Sequence, residues 1–275
     1  MTTLSRTLLC ASLALASLSA HSSGAPYGVD RLRGTATVYG YAITFKTPSN
    51  PASPPSAAPQ GFKTSHIRSD GRTVITHTAR ASALHLSKSP ATIASDIANI
   101  LSDGTVSSVV PVYHISPASH LDLASPSNPT GTGLAINWPN TSTSAPRVAV
   151  LDTGYIPSLS SPIAANSFDS SLSNGIDIDS SCPNLDTHHG SNVSFITSQA
   201  QNASILHGRI IGCNGGSTDA LIRGIDWAIA NQARVINLSI AGEPGVPCPS
   251  DVQDAINRAL NSDIHVVAAA GNSPL

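Results

Sequence analysis

The sequence predicts an α/β protein, with a doubly wound, mostly parallel sheet preceded by a small α+β unit. Three observations carry that prediction. The second half holds three continuous apolar runs, "PRVAVLDTG" (Pro146–Gly154), "ARVINLSIAG" (Ala233–Gly242) and "DIHVVAAAGN" (Asp263–Asn272). Unbroken apolar runs suit strands buried on both faces, as in a parallel sheet. Helical patterns precede the second run and the third, and an alternation of strand and helix winds a right-handed α/β layer structure. The first half differs, because there strand-like runs surround one helix.

Taken in order, the chain begins with an export signal. Arg6 is followed by "TLLCASLALASLSA", an uncharged run of signal length that ends in small residues. Cleavage is expected near Ser19 or Gly24, so residues 1–24 form the signal and the product is secreted or periplasmic. Cys10 lies inside this run, where a lipoprotein site is the alternative.

Residues 25–125 form the first folded unit. "TATVYGYAITFK" (Thr35–Lys46), "RTVITHTA" (Arg72–Ala79) and "VSSVVPVYHI" (Val106–Ile115) read as strands, rich in β-branched and aromatic residues. "SNPASPPSAAPQG" (Ser49–Gly61) is a Pro/Ser-rich loop. "SPATIASDIANILSDG" (Ser89–Gly104) is an amphipathic helix. Its inner face carries Ile93, Ile97, Ile100 and Leu101, Pro90 suits its first turn and Gly104 its C-cap. The Pro- and Gly-dense stretch Ser116–Gly133 is linker-like, and the domain boundary falls here, with a linker over 126–136 and a second domain over 137–275.

In the second domain, Leu221, Ile222, Ile225, Ala228 and Ile229 recur at helical spacing within Ser217–Gln232. Val252, Ala255, Ile256, Ala259 and Leu260 do so within Pro249–Asp263, where Ser250 and Gln253 carry a capping-box signature.

Composition narrows the function classes. Charged residues make up 11% of the 275, against about 25% on average. With a net charge of −2, the chain shows no electrostatic footprint for nucleic acid. No stretch after the signal reaches membrane-spanning length. Outside the signal three cysteines remain, Cys182, Cys213 and Cys248. Cys213 and Cys248 flank neighbouring strand–helix units and are expected to pair, which leaves Cys182 without a mate; three buried reduced thiols are the alternative.

Chemistry in doubly wound sheets sits outside the carboxyl ends of the strands, and Asp152, Ser239 and Asn272 fall there. Asp152 reads either as a carboxylate that orients a histidine or as a turn or cap residue. His189, in "LDTHHGSNVSFI" (Leu185–Ile196), opens a helix whose inner face is expected to hold Val193, Phe195 and Ile196. A histidine so placed can move protons near neutral pH; the alternatives are a polar surface pair with His188 or a weak metal site. In "DIDSSCPNLD", Asp177, Asp179 and Asp186 supply hard oxygens for calcium, or simply a solvated acidic loop.

The segments "VAVLDTG", "HHGSNVSFI", "GSTDALIRGIDWAIANQARVINLSIAG" and "VVAAAGN" resemble, in this order, the subtilisin-like serine peptidases, the subtilases, over about Asn137–Asn272. Subtilisin orders its catalytic trio Asp, His, Ser along the chain. The resemblance implies a secreted serine endopeptidase with no required cofactor, frequent calcium binding, a polypeptide substrate and a monomeric state. By it, Asp152 orients the imidazole and His189, thirty-seven positions later and followed by Gly190, is the general base. Asn272 donates to the oxyanion. Ser239, Ile240, Ala241 and Gly242 form an edge on which peptide pairs as an extra strand, and Ala270 and Gly271 line the primary pocket. The first unit resembles the family's propeptide, which assists folding and occupies the cleft.

Two departures accompany the resemblance. The histidine motif, usually H-G-T-H-V-A-G, reads "HGSNVSF", with Phe195 where a small residue is usual. The family's G-T-S-M-A-x-P serine motif has no counterpart among the 275 residues. The expectation is therefore a chain cut off before its nucleophile, inactive by itself and poorly soluble. A peptide-binding pseudoenzyme or carrier of an inhibitory propeptide is the alternative, and a metal hydrolase using His188 and His189 is a third.

Overall fold

The computed structural model describes residues 32–46, 58–78, 86–118, 146–155, 189–198, 203–212 and 215–270. The signal segment, most of the Pro/Ser-rich loop, most of the linker, the acidic loop and residues 271–275 lie outside them. Among the described residues no helix is long and apolar enough to cross a membrane.

The first unit consists of β1 (Ala36–Phe45), β2 (Phe62–Ile67), β3 (Thr73–His77), β4 (Leu86–Lys88), α1 (Pro90–Leu101) and β5 (Val106–Pro117). Its strands pair antiparallel in the order β2-β3-β1-β5, with β4 beside β1. The β2–β3 hairpin closes through a turn in which Gly71 takes φ +81°, a conformation that a Cβ disfavours. Helix α1 starts where Ser89 Oγ accepts the Thr92 N–H at 3.2 Å, and Pro90 occupies its first turn. Its buried Ile93, Ile97 and Ile100 pack on Tyr41, Ile75 and Val109 of the sheet. Each such side chain contributes about 1.5–3 kcal/mol by leaving water. The C-cap is Ser102 rather than Gly104, because the last turn closes on αR geometry and needs no left-handed residue.

The second unit comprises β6 (Arg147–Asp152), α2 (His189–Ser198), β7 (Ser204–Arg209), β8 (Ile211–Gly212), β9 (Gly215–Ser217), α3 (Thr218–Ala230), β10 (Val235–Leu238), β11 (Ile240–Gly242), α4 (Ser250–Asn261) and β12 (His265–Ala268). A four-stranded parallel sheet runs β12-β10-β6-β7. One face carries Ala149, Leu151, Leu206, Ile236 and Leu238, covered by Leu221, Ile222 and Ile225 of α3 and by Val252, Ala255 and Ile256 of α4. The opposite face carries Val148, Val150 and Ile205 under Val193 of α2. Helices therefore lie on both faces, and the doubly wound α/β architecture is present.

Three local expectations change. The run Ala233–Gly242 is two strands, since β10 ends at Leu238 and β11 joins a different sheet. At α4 the N-cap is Pro249 with no side-chain cap, so the Ser250–Gln253 box does not form. In α2 the inner face is Gly190, Ser191, Ser194 and Ser198, while Ile196 is 63% exposed. Small residues let α2 lie close to the sheet; Val193 still packs on it as expected, Phe195 is half-buried and Ile196 turns outward.

The two units share β5. Beyond its partners in the first unit, β5 pairs antiparallel with β9 and with β11, so one sheet spans both. The Tyr113 N–H also donates to Thr218 Oγ1 at the head of α3, at 3.1 Å.

Candidate active site

Alternation along β6 fixes where its last residue points. Val148 and Val150 face α2, Ala149 and Leu151 face α3 and α4, and Asp152 shares the parity of the first pair. The Asp152 carboxylate is fully buried at the strand's carboxyl end. An uncompensated charge there would be costly, and it is met twice on Oδ1. The Thr153 N–H donates at 2.6 Å, and His189 Nδ1 lies at 2.7 Å. Among the described residues Oδ2 has no hydrogen-bond partner.

The close approach of His189 depends on its neighbour. The Gly190 N–H donates to Thr153 Oγ1 at 2.8 Å. A Cβ on Gly190 would fall 2.5 Å from the Thr153 carbonyl oxygen and 3.0 Å from that of Gly154. Only glycine lets the first turn of α2 settle onto the end of β6. The His-Gly pair is thus one structural unit.

A carboxylate only accepts, so Nδ1 of His189 carries the proton and Nε2 keeps its lone pair. The hydrogen bond and charge of Asp152 raise the imidazole above its ordinary value, against desolvation that works the other way. The side chain is 15% exposed. The arrangement is a base whose tautomer is set by a buried carboxylate, able to accept a proton at Nε2 and to hold it as an imidazolium beside a negative charge.

Ser239 directly follows β10, whose carboxyl end lies beside that of β6 in the sheet. Ile240, Ala241 and Gly242 then form β11, paired with Pro117, Ser116 and Ile115 of β5. The Ala118 N–H donates to the Ser239 carbonyl at 2.9 Å. On its other side, His114 and Ile115 pair with Ser217 and Gly216. The tail of β5 is thereby a central strand held between β9 and β11. Ile115 is buried, and it borders an apolar hollow lined by Leu221, Ile240, Val246, Cys248 and Val252. Strand addition of this kind gives affinity through main-chain bonds and selectivity through alternate side-chain pockets.

Ala270 is exposed just past β12. Gly271 and Asn272, with His188, Cys182, Cys213, Asp177, Asp179 and Asp186, lie outside the described residues. Among the described residues no cluster of His, Cys, Asp or Glu could hold a metal.

Sequence reasoning missed two contributors. Thr153, read only as part of a turn, takes the Gly190 N–H and donates to Asp152. His207, in the unrecognised strand "SILHGR", is fully buried beneath α2. Its alternation of Ile205, His207 and Arg209 against Leu206 and Gly208 was the available signal.

The site thus combines a buried carboxylate at a strand end, an imidazole on it and a strand paired along a neighbouring edge of an α/β sheet. Residues 143–274 match the subtilase family, and this part of the chain is similar to the subtilisin-like serine peptidases. It is 33% identical over 144 residues to thermitase of Thermoactinomyces vulgaris, covering 50% of this chain and 50% of that one. It is 32% identical over 140 residues to the thermostable alkaline protease of Halalkalibacterium halodurans, covering 46% and 36%. The chain thus spans half or less of the length of these curated relatives. Among solved structures, fervidolysin from Fervidobacterium pennivorans, described as a keratinolytic enzyme related to subtilisin, aligns at 18% identity. That alignment has a TM-score of 0.48 over 88% of this chain and 41% of that one.

Proposed function

We propose that the protein to which this chain belongs is an exported serine endopeptidase that cleaves polypeptides with Asp152 and His189. The observation that carries this reading is the 2.7 Å contact between His189 Nδ1 and Asp152 Oδ1 at the carboxyl end of a parallel strand. In the reaction, His189 Nε2 takes the proton of a serine hydroxyl as it attacks the peptide carbonyl, then delivers it to the leaving amine. Asp152 holds the ring and stabilises the imidazolium. Asn272 is assigned to the oxyanion, Ser239–Gly242 to substrate pairing, and Ala270 and Gly271 to the primary pocket.

The first unit is assigned as a propeptide. The pairing of Ile115–Pro117 with β11 supports this, because the strand occupies the position a substrate needs. Calcium at Asp177, Asp179 and Asp186 and a Cys213–Cys248 disulfide belong to the same proposal and suit an exported protein. A monomer needs no residue from a second copy to complete the pair.

The test is hydrolysis of an unfolded polypeptide by the whole protein, alongside labelling by a serine-directed phosphonate. Activity that falls by about 10³-fold or more in both Asp152→Asn and His189→Ala is expected. Hydrolysis that survives both substitutions, or that chelators abolish while the phosphonate does not, contradicts the assignment.

A further inference from the structure

His207 lies in the middle of β7 with no solvent exposure. Ile205, two residues earlier, packs with Val148 and Val150 on the α2 face, whereas Gly208 abuts Leu151 and Trp227 on the other. The imidazole therefore sits between the sheet and α2, beside the tilted ring of Tyr155 at 5.6 Å. It bridges two elements. Nε2 lies 2.7 Å from the Thr153 carbonyl oxygen, and Nδ1 lies 2.8 Å from Ser194 Oγ.

A carbonyl only accepts, so Nε2 carries the proton. Nδ1 then accepts from the Ser194 hydroxyl, and a neutral ring satisfies both of its nitrogens. Such a group is well tolerated inside a protein. Burial also disfavours the imidazolium and depresses the ring's pKa, against smaller opposing contributions from the Thr153 carbonyl and the charge of Asp152.

The two anchors of this bridge are significant. Thr153 follows Asp152 directly and binds the Gly190 N–H through its own hydroxyl. Ser194 lies on the inner face of the helix that His189 opens. A Cβ on Gly190 would come within 3.0 Å of His207 Cε1, so the ring also floors the His-Gly turn. His207 thus holds both backbone segments that present the pair, through hydrogen bonds to the Ser194 hydroxyl and the Thr153 carbonyl rather than to either member.

We propose that His207 is a positioning residue, a neutral strut between the Thr153 carbonyl and the Ser194 hydroxyl that sets α2 over β6 and so aligns His189 on Asp152. The inference rests on reading Asp152 and His189 as the catalytic pair. Displacements of about 1 Å in such pairs cost roughly 10²-fold in rate, and this is the tolerance the strut holds.

The test follows the His189 ring in the full chain by NMR, through the Nδ1–H proton bonded to Asp152 and through the ring's pH midpoint. Asp152→Asn, which changes the acceptor itself, provides the reference shift. His207→Phe keeps volume and removes both hydrogen bonds. It is expected to lose the bonded proton signal and to move the midpoint by at least half the reference shift. His207→Gln, which can still reach the Thr153 carbonyl, recovers part of both, and Ser194→Ala gives a smaller change of the same sign. Cooperatively melting variants with an unchanged proton and midpoint overturn the inference. If His207→Phe does not fold, the same comparison with His207→Gln and Ser194→Ala supports or overturns it. Should Asp152→Asn also leave His189 unmoved, the pairing of Asp152 with His189 fails, and the functional reading falls with it.

Discussion

Arg68 offers a sharp test of how the two units are joined. Its side chain follows β2, has no solvent exposure and reaches the helix heads of the second unit. Nη1 lies 2.9 Å from Asp251 in the first turn of α4 and 3.8 Å from Asp219 in the first turn of α3. Asp70 braces the guanidinium from the other side at 3.0 Å. At 2.9 Å and an effective dielectric near 20, the Asp251 contact alone is worth about 6 kcal/mol of Coulomb attraction, most of it offset by desolvation. Burial already lifts the Asp251 carboxyl above its ordinary range despite Arg68, so the site is poor at holding an unpaired charge. Replacing Arg68 by Met should therefore destabilise the chain by about 3–5 kcal/mol, the cost of stranding a buried charge. In a domain of this size that lowers Tm by roughly 6–20 °C. The assay is calorimetry at pH 7 on wild type, Arg68→Met, Asp251→Asn and the double variant. Because replacing a buried pair is often neutral, the double variant should recover most of the loss. An Arg68→Met effect below about 0.5 kcal/mol, the scale of a surface substitution, refutes the idea that this arginine clamps the units.

Two further predictions concern the histidines and the glycine between them. His207 has a depressed folded pKa, so as pH falls below about 6.5 the unfolded chain takes a proton that the folded chain resists, and stability drops. His189 has the opposite sign. Its raised folded pKa adds stability that is fully present below about 6.5 and lost as pH rises through the folded value. Melts between pH 5 and 8 should show a shallower acid-side loss in His207→Gln and a steeper one in Asp152→Asn; slopes identical to wild type in both would contradict these assignments. Gly190→Ala should cost about 1–3 kcal/mol of overpacking, because a Cβ would meet the Thr153 carbonyl oxygen at 2.5 Å. Loss of the bonded His189 Nδ1 proton should accompany it, and a neutral Gly190→Ala would show that the turn has room to spare.

Legibility in the sequence followed burial chemistry. β6, β10, α3 and α4 were readable because their inner faces are unbroken aliphatic sets, such as Ile222, Ile225, Val252 and Ile256; β12 was readable as a strand but is not buried on both faces as expected, since it ends the described strand order and exposes His265 and Val267. β7 was not, because a buried imidazole and Arg209 interrupt its apolar run. β2 exposes Lys63, Thr64 and Ser65 and is held by pairing with β3 rather than by its own pattern. β9 is three residues of Gly-Gly-Ser, a strand because β5 and β8 pair with it on either side. For the same reason β5 continues through Ile115–Pro117, past its expected end and into the stretch read as linker. Asp152 and His189 were legible as a pair through the order of their motifs. The Thr153 and His207 contacts that brace them depend on strand neighbours far apart in sequence.

The central claim is that Asp152 sets the tautomer and basicity of His189. The most direct measurement is the pH titration of the His189 ring by NMR in the intact chain and in Asp152→Asn. The account predicts a midpoint above the ordinary imidazole value, a hydrogen-bonded Nδ1–H proton, and the loss of both in the variant. An imidazole that titrates at its ordinary value, shows no bonded proton and ignores Asp152→Asn would contradict it.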